Sequence, residues 1–521
     1  MSTRLPGRKG SARRFVVVGG GISGLAAARV LAGAAPVSDG AGERSSPSSG
    51  ASGSAEAEVV VLESAPRLGG KILTGTVAGV PVELGPDQFL RRDASAERLA
   101  RQLGLGDALV APAARAAGVY SRGRLCALPA GLLLGVPTDG DSLESSGILS
   151  PGGLAVFRRL AEPTAAPPAV TPVQVGLEEG AEGEGGEELA AGAILRSLVG
   201  DEVVDRLVDP LLGGINAGSV DALSLATVAP QIARLLAGRP GGLAALAAAV
   251  AASSGPGGPS PFFGLSGGLS RLVEATRRQL ETELGATVVS GSGVSGIEQH
   301  ESGEGYVIRL DAGSDAGSAI EADAVVIAVP GPTAGRLLSH LVPEAAARLA
   351  AIPYVSVAVA TLAFEAGATE AAGIPPGWSG VLVPRVEGAV MTAVSFLSAK
   401  WPWMSEAGGP RREMARISAG RYLDDRIASE DDAGLVRRLL KELAELAGIS
   451  AEPSEIQLHR WDRSFPQYLP GHGASVGALR RALSQHRRLA VAGAVLGGIG
   501  IPACISSGER AAEEVLAGLD R

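Results

Sequence analysis

Gly19, Gly21 and Gly24 form a G-x-G-x-x-G turn between a short β-branched run at 15–18 and a helical stretch at 25–31. The chemistry open to such a turn is binding of an anion. The first glycine permits the tight turn, the second lets a pyrophosphate approach the backbone, and the third lets helix and strand pack closely. The helix start around Gly20, Ile22 and Ser23 offers unpaired N–H groups and a partial positive charge. Glu63 ends the next apolar run, at 59–62, where a carboxylate can accept hydrogen bonds from a ribose diol. The usual separation is about 20 residues. Here the patternless Ser/Gly/Ala/Pro stretch 33–57 lengthens it.

The residues after Glu63 narrow the choice of dinucleotide. Ser64-Ala65-Pro66-Arg67-Leu68-Gly69-Gly70-Lys71 completes an ExxxRxGG run, which resembles the second signature of the FAD-dependent amine oxidase superfamily. That resemblance implies FAD, with Glu63, Ser64, Arg67, Gly70 and Lys71 beside it. Gly85-Pro86-Asp87-Gln88 resembles the superfamily's turn beneath the isoalloxazine ring. The segment 492–508, with Ile499, Gly500, Ile501 and Cys504, resembles its closing flavin motif. A helix N-terminus there would stabilise negative charge at the flavin's pyrimidine edge.

Four longer segments resemble the porphyrinogen oxidase family: GGINAGSVDALSL at 213–225, FFGLSGGLSRLVEAT at 262–276, HRWDRSFPQYLPGH at 459–472 and GIGIPACISSG at 498–508. The resemblance covers most of the chain outside the low-complexity stretches. It adds Val294 and Trp461 to the cofactor contacts and implies noncovalent FAD. It also implies a six-electron oxidation of coproporphyrinogen III to coproporphyrin III in haem synthesis, with hydride leaving a meso carbon and O2 restoring FAD as peroxide is released. Positioning dominates such chemistry, and no general base is named. Protoporphyrinogen IX is the alternative substrate. An amine or polyene oxidase, or a non-enzymatic tetrapyrrole carrier, are the other readings. The substrate's propionates need cationic partners. Arg91 and Arg92 are the candidates, followed by Arg122 and Arg124, with Val381, Leu382 and Val394 as apolar lining. Membrane-bound relatives carry an Arg before the hairpin at 119–129, where this chain has Ala116-Ala117-Gly118. The pattern is nearer the soluble Gram-positive type.

The elements that must hold these residues alternate between strand and helix at both ends of the chain. This is an α/β pattern, with a discontinuous Rossmann-type FAD-binding domain at 12–92, 258–340 and 456–521. An inserted mixed-sheet substrate domain is expected at 213–257 and 341–455. A helical domain is expected at 93–212, carrying a flexible Pro- then Gly/Glu-rich insertion at 163–188. Residues 119–128 read as a hairpin and 507–519 as a closing helix, with Ser506 and Glu509 at capping-box spacing.

Composition sets the outer limits. The chain has 521 residues, enough for two or three domains, and a net charge of −9, which argues against a nucleic-acid partner. Two distant cysteines make no disulfide framework, and five histidines show no metal spacing. The apolar stretches 235–252 and 489–505 are broken by Gly or Pro and do not read as membrane spans. A cytoplasmic protein is expected, with room for peripheral membrane contact and for handover of product to the next enzyme of haem synthesis.

Overall fold

The β-branched runs near the N-terminus are apolar on both faces, the pattern of a parallel strand covered on both sides. In the computed structural model, which describes residues 12–33, 57–162, 171–177, 187–238, 246–248, 260–311, 318–407 and 412–519, they form that sheet. Its five strands are ordered Thr287–Ser290, Ala57–Glu63, Arg13–Val18, Ala324–Ile327 and Leu489–Val491, all parallel. Phe15, Val17, Val59 and Val61 face one core, shared with the helices Ile22–Leu31, Ser270–Thr282 and Ile501–Ala517. Val16, Val18, Val60 and Leu62 face another core, shared with the antiparallel strands Val294–Gln299, Tyr306–Leu310 and Ala319–Ala322 and the helix Gly331–Leu338. The sheet is thus assembled from both ends and the middle of the chain. Most of the stretch 33–57, the greater part of 163–188, and residues 239–245 and 249–252 lie outside the described residues.

The helices at the two chain ends cross closely. A Cβ on Gly508 would stand 2.0 Å from the Ser23 carbonyl oxygen, so the crossing needs a residue without a side chain. The closing helix begins at Ile501, not at Ser507. Gly500 is extended (φ −67°, ψ 148°) and Pro502 occupies the first turn, a favoured helix start. Ser506 is therefore interior and Glu509 is fully buried, so the expected capping box is not formed.

A second sheet has seven strands: Glu455–Pro466, Tyr354–Glu365, Arg412–Ala419, Met391–Phe396, Trp378–Leu382, Ala116–Ser121 and Arg124–Ala127. The expected hairpin exists, but it pairs with this sheet (Leu382 opposite Val119) rather than standing with the helical segment 93–212. Strand Glu455–Pro466, at the head of the segment 456–521, likewise pairs along Tyr354–Glu365. Strand edges need backbone partners, and the sheet supplies them. One face, with Val381, Val394, Ile417 and Ala360, packs on the helix Asp432–Ala447. The other face carries Gly380, Ser395, Arg416 and Thr361 in one cross-strand row, and Leu382, Ala393, Ser418 and Val359 in the next. Helices Gly140–Ser146, Pro151–Ala161 and Ala191–Val199 and the ten-residue π-helix Val204–Gly213 pack around the hairpin through Val119 and Cys126.

Gly508→Ala is expected to lose about 3 kcal/mol by forcing the two helices apart. Gly473→Ala, on an open helix face with nothing within 4 Å of the new methyl, is expected to gain up to about 1 kcal/mol. Urea unfolding followed by circular dichroism reads both.

Candidate active site

The glycine turn is shaped by contact as well as by conformation. Gly19 has φ +111°, and a Cβ there would meet the Ala328 carbonyl oxygen at 2.5 Å. A Cβ on Gly24 would lie 1.9 Å from the Gly19 carbonyl oxygen. Gly21 caps the helix without any side-chain hydrogen bond, no acidic residue follows in the first turn, and the space where its Cβ would stand is open. The helix start is therefore available to an anion. Glu63 is half-buried beside it. One carboxylate oxygen accepts from the Gly20 N–H (2.7 Å) and the other from the Ala65 N–H (2.8 Å).

The ExxxRxGG run folds back onto this turn. Gly69 N–H donates to Gly20 O (2.8 Å), and Gly69 bridges to Gly21. Arg67 donates to the carbonyls of Leu68, Gly70 and Ile72, which braces the run. Its guanidinium lies 5.9 Å from the Trp461 ring centroid. Ser64 stays at the exposed end of the Glu63 strand. Burial depresses the Lys71 ammonium, and no carboxylate pairs with it among the described residues. Val294 starts the strand whose lead-in, Gly291 and Ser292, donates to the carbonyls of Ala65 and Glu63. Gly500 begins the closing helix, again with no side-chain cap. Cys504 is buried there, with its thiol turned to the Gly498 carbonyl and raised by burial.

The turn Gly85–Gln88 is fixed from the seven-stranded sheet. Trp461 Nε1 donates to Leu84 O (2.6 Å), and Arg416 donates to Gly85 O (3.0 Å). Asp87 is buried and accepts from Lys400 Nζ (2.6 Å) and Arg416 Nη2 (3.3 Å). Burial alone would raise the Asp87 carboxyl, but the two cations overcome it and hold the group well below the usual carboxylate range. Pro86 lies between these anchored residues. Lys400 and Arg416 are site residues that sequence spacing does not reveal, being separated from Asp87 by 313 and 329 positions. No local signal marks them: the strand of Arg416 also carries Arg412 and Glu413.

Around this turn, the buried polar atoms Gln88 Oε1, Arg416 Nε, Thr361 Oγ1 and Gln457 Oε1 have no hydrogen-bond partner. Buried groups of this kind are normally satisfied by water or a ligand. Together with the two uncapped helix starts, they fit a long polar cofactor.

Other sequence candidates are placed elsewhere. Arg91 stacks on Phe263 (4.0 Å) and pairs with Glu97 (3.6 Å), while Arg92 is exposed. Arg124 donates to Gly147 O, and the Arg122 backbone N–H to Glu387. Val381 and Val394 point into the sheet core and do not line a cleft, because the pleat turns them toward the helix Asp432–Ala447. Leu382, one residue on, faces the opposite side.

Against known proteins, a family model described as "Flavin containing amine oxidoreductase" matches residues 22–516. The chain belongs to that family. It is an FAD-dependent oxidoreductase with a flavin amine oxidase fold. It is 32% identical to a coproporphyrinogen III oxidase of Mycobacterium bovis, with 98% of both chains covered. It is 31% identical to the Bacillus subtilis protein of that name, covering 97% of this chain and 98% of the other. A human protoporphyrinogen oxidase is 29% identical, with 97% and 98% covered. A solved structure of a putative protoporphyrinogen oxidase from Exiguobacterium superposes with TM-score 0.76 at 26% identity, over 98% of this chain and all of that one. No helix among the described residues is long and apolar enough to cross a membrane.

Burial holds the proton on Glu83, which lies next to Leu84 and the cofactor turn, up to about 7. In the unfolded chain the group ionises near 4.5. Between those values the folded state binds more protons, so stability falls as pH rises, by up to about 3 kcal/mol. Glu83→Gln is expected to remove that part of the pH dependence, measured by urea unfolding at pH 5, 6 and 8.

Proposed function

We propose that this chain oxidises a porphyrinogen to the porphyrin in haem synthesis, with coproporphyrinogen III as its substrate. The observation that carries the reading is the half-buried face of the seven-stranded sheet. There the small side chains of Gly380, Ser395, Ala393 and Ser418 lie in cross-strand rows beside Arg416, which holds the turn Gly85–Gln88. The names of the full-length relatives support the same substrate class. Protoporphyrinogen IX is the second reading, favoured by the human relative.

In this assignment Gly19–Gly24 hold the diphosphate at the helix start and Glu63 the ribose. Ser64, Arg67, Gly70, Lys71 and Val294 line the path, and Gly85–Gln88, Trp461 and Ile499–Ile501 frame the ring. The cofactor-binding unit then takes in 12–92, 258–340 and the chain end, with the sheet and helical segments forming the substrate side. When bound there, FAD would supply two-electron oxidation with O2 as the final acceptor, and three such rounds would balance one porphyrinogen and three O2 against one porphyrin and three H2O2. The chain's own part is placement. The Asp87–Lys400–Arg416 centre fixes the turn against which the ring lies. The positive ends of the helices Ile22–Leu31 and Ile501–Ala517 favour negative charge on diphosphate and ring edge. The buried carboxylate beside Arg416, Asp87, is neutralised by two cations, and His459, in the same cross-strand row as Ser418, packs on Trp461; neither is assigned as a base.

The test is anaerobic mixing of FAD-loaded protein with coproporphyrinogen III. Bleaching of the FAD band, followed in air by porphyrin fluorescence, O2 uptake and peroxide, is the expected result. Amine turnover without porphyrin formation overturns the substrate. Tight porphyrin binding without bleaching makes the protein a carrier. Glu63→Ala is expected to weaken FAD binding about 10-fold or more, since a hydrogen bond to a charged group is worth about 1.5–3 kcal/mol.

A further inference from the structure

We propose that Arg385 and Arg421 form a carboxylate subsite at the far end of the substrate face, where a propionate of the tetrapyrrole is held. The inference rests on the porphyrinogen reading and adds to it the feature that selects for carboxylate number.

A small cavity of about 30 Å³ lies where the π-helix Val204–Gly213 and the loop after it meet the sheet, lined among others by Asp209, Gly218, Thr392, Arg385 and Arg421. That volume accommodates about two water-sized groups, the size of the two oxygens of a carboxylate. Arg421 is 7% exposed. It donates through Nη2 to the carbonyls of Val383 (3.4 Å) and Met391 (3.1 Å), and its buried Nε has no partner. Arg385 donates to the carbonyls of Gly218 (3.3 Å) and Tyr422 (3.1 Å), and its Nε is also without a hydrogen bond. Two guanidinium N–H groups at one small cavity are a donor set for a carboxylate.

The charges agree. Asp209 is the acid lining the cavity. It already accepts from the Val220 N–H (2.9 Å) and stands 3.9 Å from Arg385 Nε. Asp424, nearby, is occupied by Arg426 (2.6 and 2.8 Å). Two cations thus face one carboxylate, and the cavity carries one positive charge in excess.

The surroundings suit a ring edge. Ile215, Val386 and Leu423 are 56%, 50% and 80% exposed. The Arg385 bonds to Gly218 and Tyr422, and the Tyr422 N–H to Ala217 O, bring their three segments together. Each of the three exposed residues is within two positions of a cavity-lining residue, Gly214, Arg385 or Arg421, and exposed apolar side chains beside a cationic hole match a flat apolar macrocycle bearing a carboxylate arm. The subsite is joined to the cofactor side by one strand. Arg416 holds Gly85, and Gly420 and Arg421 follow Ala419 at the end of the same strand. At about 3.3 Å per residue the two ends stand roughly 13–17 Å apart. That spacing puts one edge of the substrate at the cofactor turn and a propionate of the opposite edge at Arg385. Coproporphyrinogen III, with four propionates, always presents one there, whereas protoporphyrinogen IX, with two, does so in fewer orientations.

The experiment compares wild type, Arg385→Met and Asp209→Asn as FAD-loaded full chains, checked for FAD absorbance and melting temperature. It measures kcat and KM for both porphyrinogens, and the Kd of coproporphyrin III from protein fluorescence quenching. Arg385→Met is expected to lower the coproporphyrinogen-to-protoporphyrinogen ratio of kcat/KM about 10-fold or more, through KM, with a matching rise in Kd. Asp209→Asn, which increases the positive excess, is expected to shift Kd the opposite way, toward tighter binding. An unchanged ratio in Arg385→Met, or the same direction of shift in both variants, overturns the subsite. If Arg385→Met does not fold, Asp209→Asn alone decides: tighter binding supports the subsite and weaker or equal binding overturns it. Wild type inert toward both porphyrinogens, although FAD-loaded, is instead a failure of the functional reading.

Discussion

A single buried carboxylate joins the two halves of this protein. Asp87 sits in the turn Gly85–Gln88, while the cations that neutralise it come from the other half: Arg416 from the seven-stranded sheet and Lys400 from the short helix Leu397–Lys400 that follows one of its strands. Taking a charge out of water is costly unless it is paired, and removing one partner of a buried pair typically costs about 3–5 kcal/mol. The three groups therefore fix the sheet to the turn at one separation. Arg416 also binds the Gly85 carbonyl and Trp461 the Leu84 carbonyl, so the backbone of the turn is set by the same contacts. A redox site that works by placement requires that rigidity between cofactor and substrate surfaces.

The rest of the architecture follows from that junction. The parallel sheet sets one uncapped helix start at Gly21, and the closing helix returns from the far end of the sequence with a second one at Gly500. Their direct crossing at Gly508 and Ser23 makes both termini parts of one surface. On the substrate side, the pleat separates two functions of one sheet. Val381, Val394 and Ile417 make a core, while their neighbours Leu382, Ala393, Ser395, Arg416 and Ser418 lie on the opposite face, where Arg416 reaches the turn Gly85–Gln88.

Much of the cofactor half was legible as sequence, because its signals are local. A tight turn at Gly19 and a close helix–strand contact at Gly24 demand glycine at fixed spacing. Apolar runs on both faces announce a parallel sheet. Local signals also misled where context decides. Ser506 and Glu509 have cap spacing, yet Gly500 and Pro502 start the helix earlier and bury Glu509. The hairpin at 116–127 was recognisable as a hairpin, but its partner strand lies beyond residue 370 and no local pattern names it.

By itself the sequence determined the glycine turn between strand and helix, the acid at the end of the next strand, the buried parallel strands and the flavin family, since each is written in short local runs. Tertiary structure alone decided which face of the second sheet meets the turn Gly85–Gln88. It also decided which cations neutralise Asp87 and which arginines converge on a common cavity. Those outcomes depend on the pleat and on pairing across hundreds of residues, where burial and charge balance act on spatial neighbours and leave no spacing in the chain.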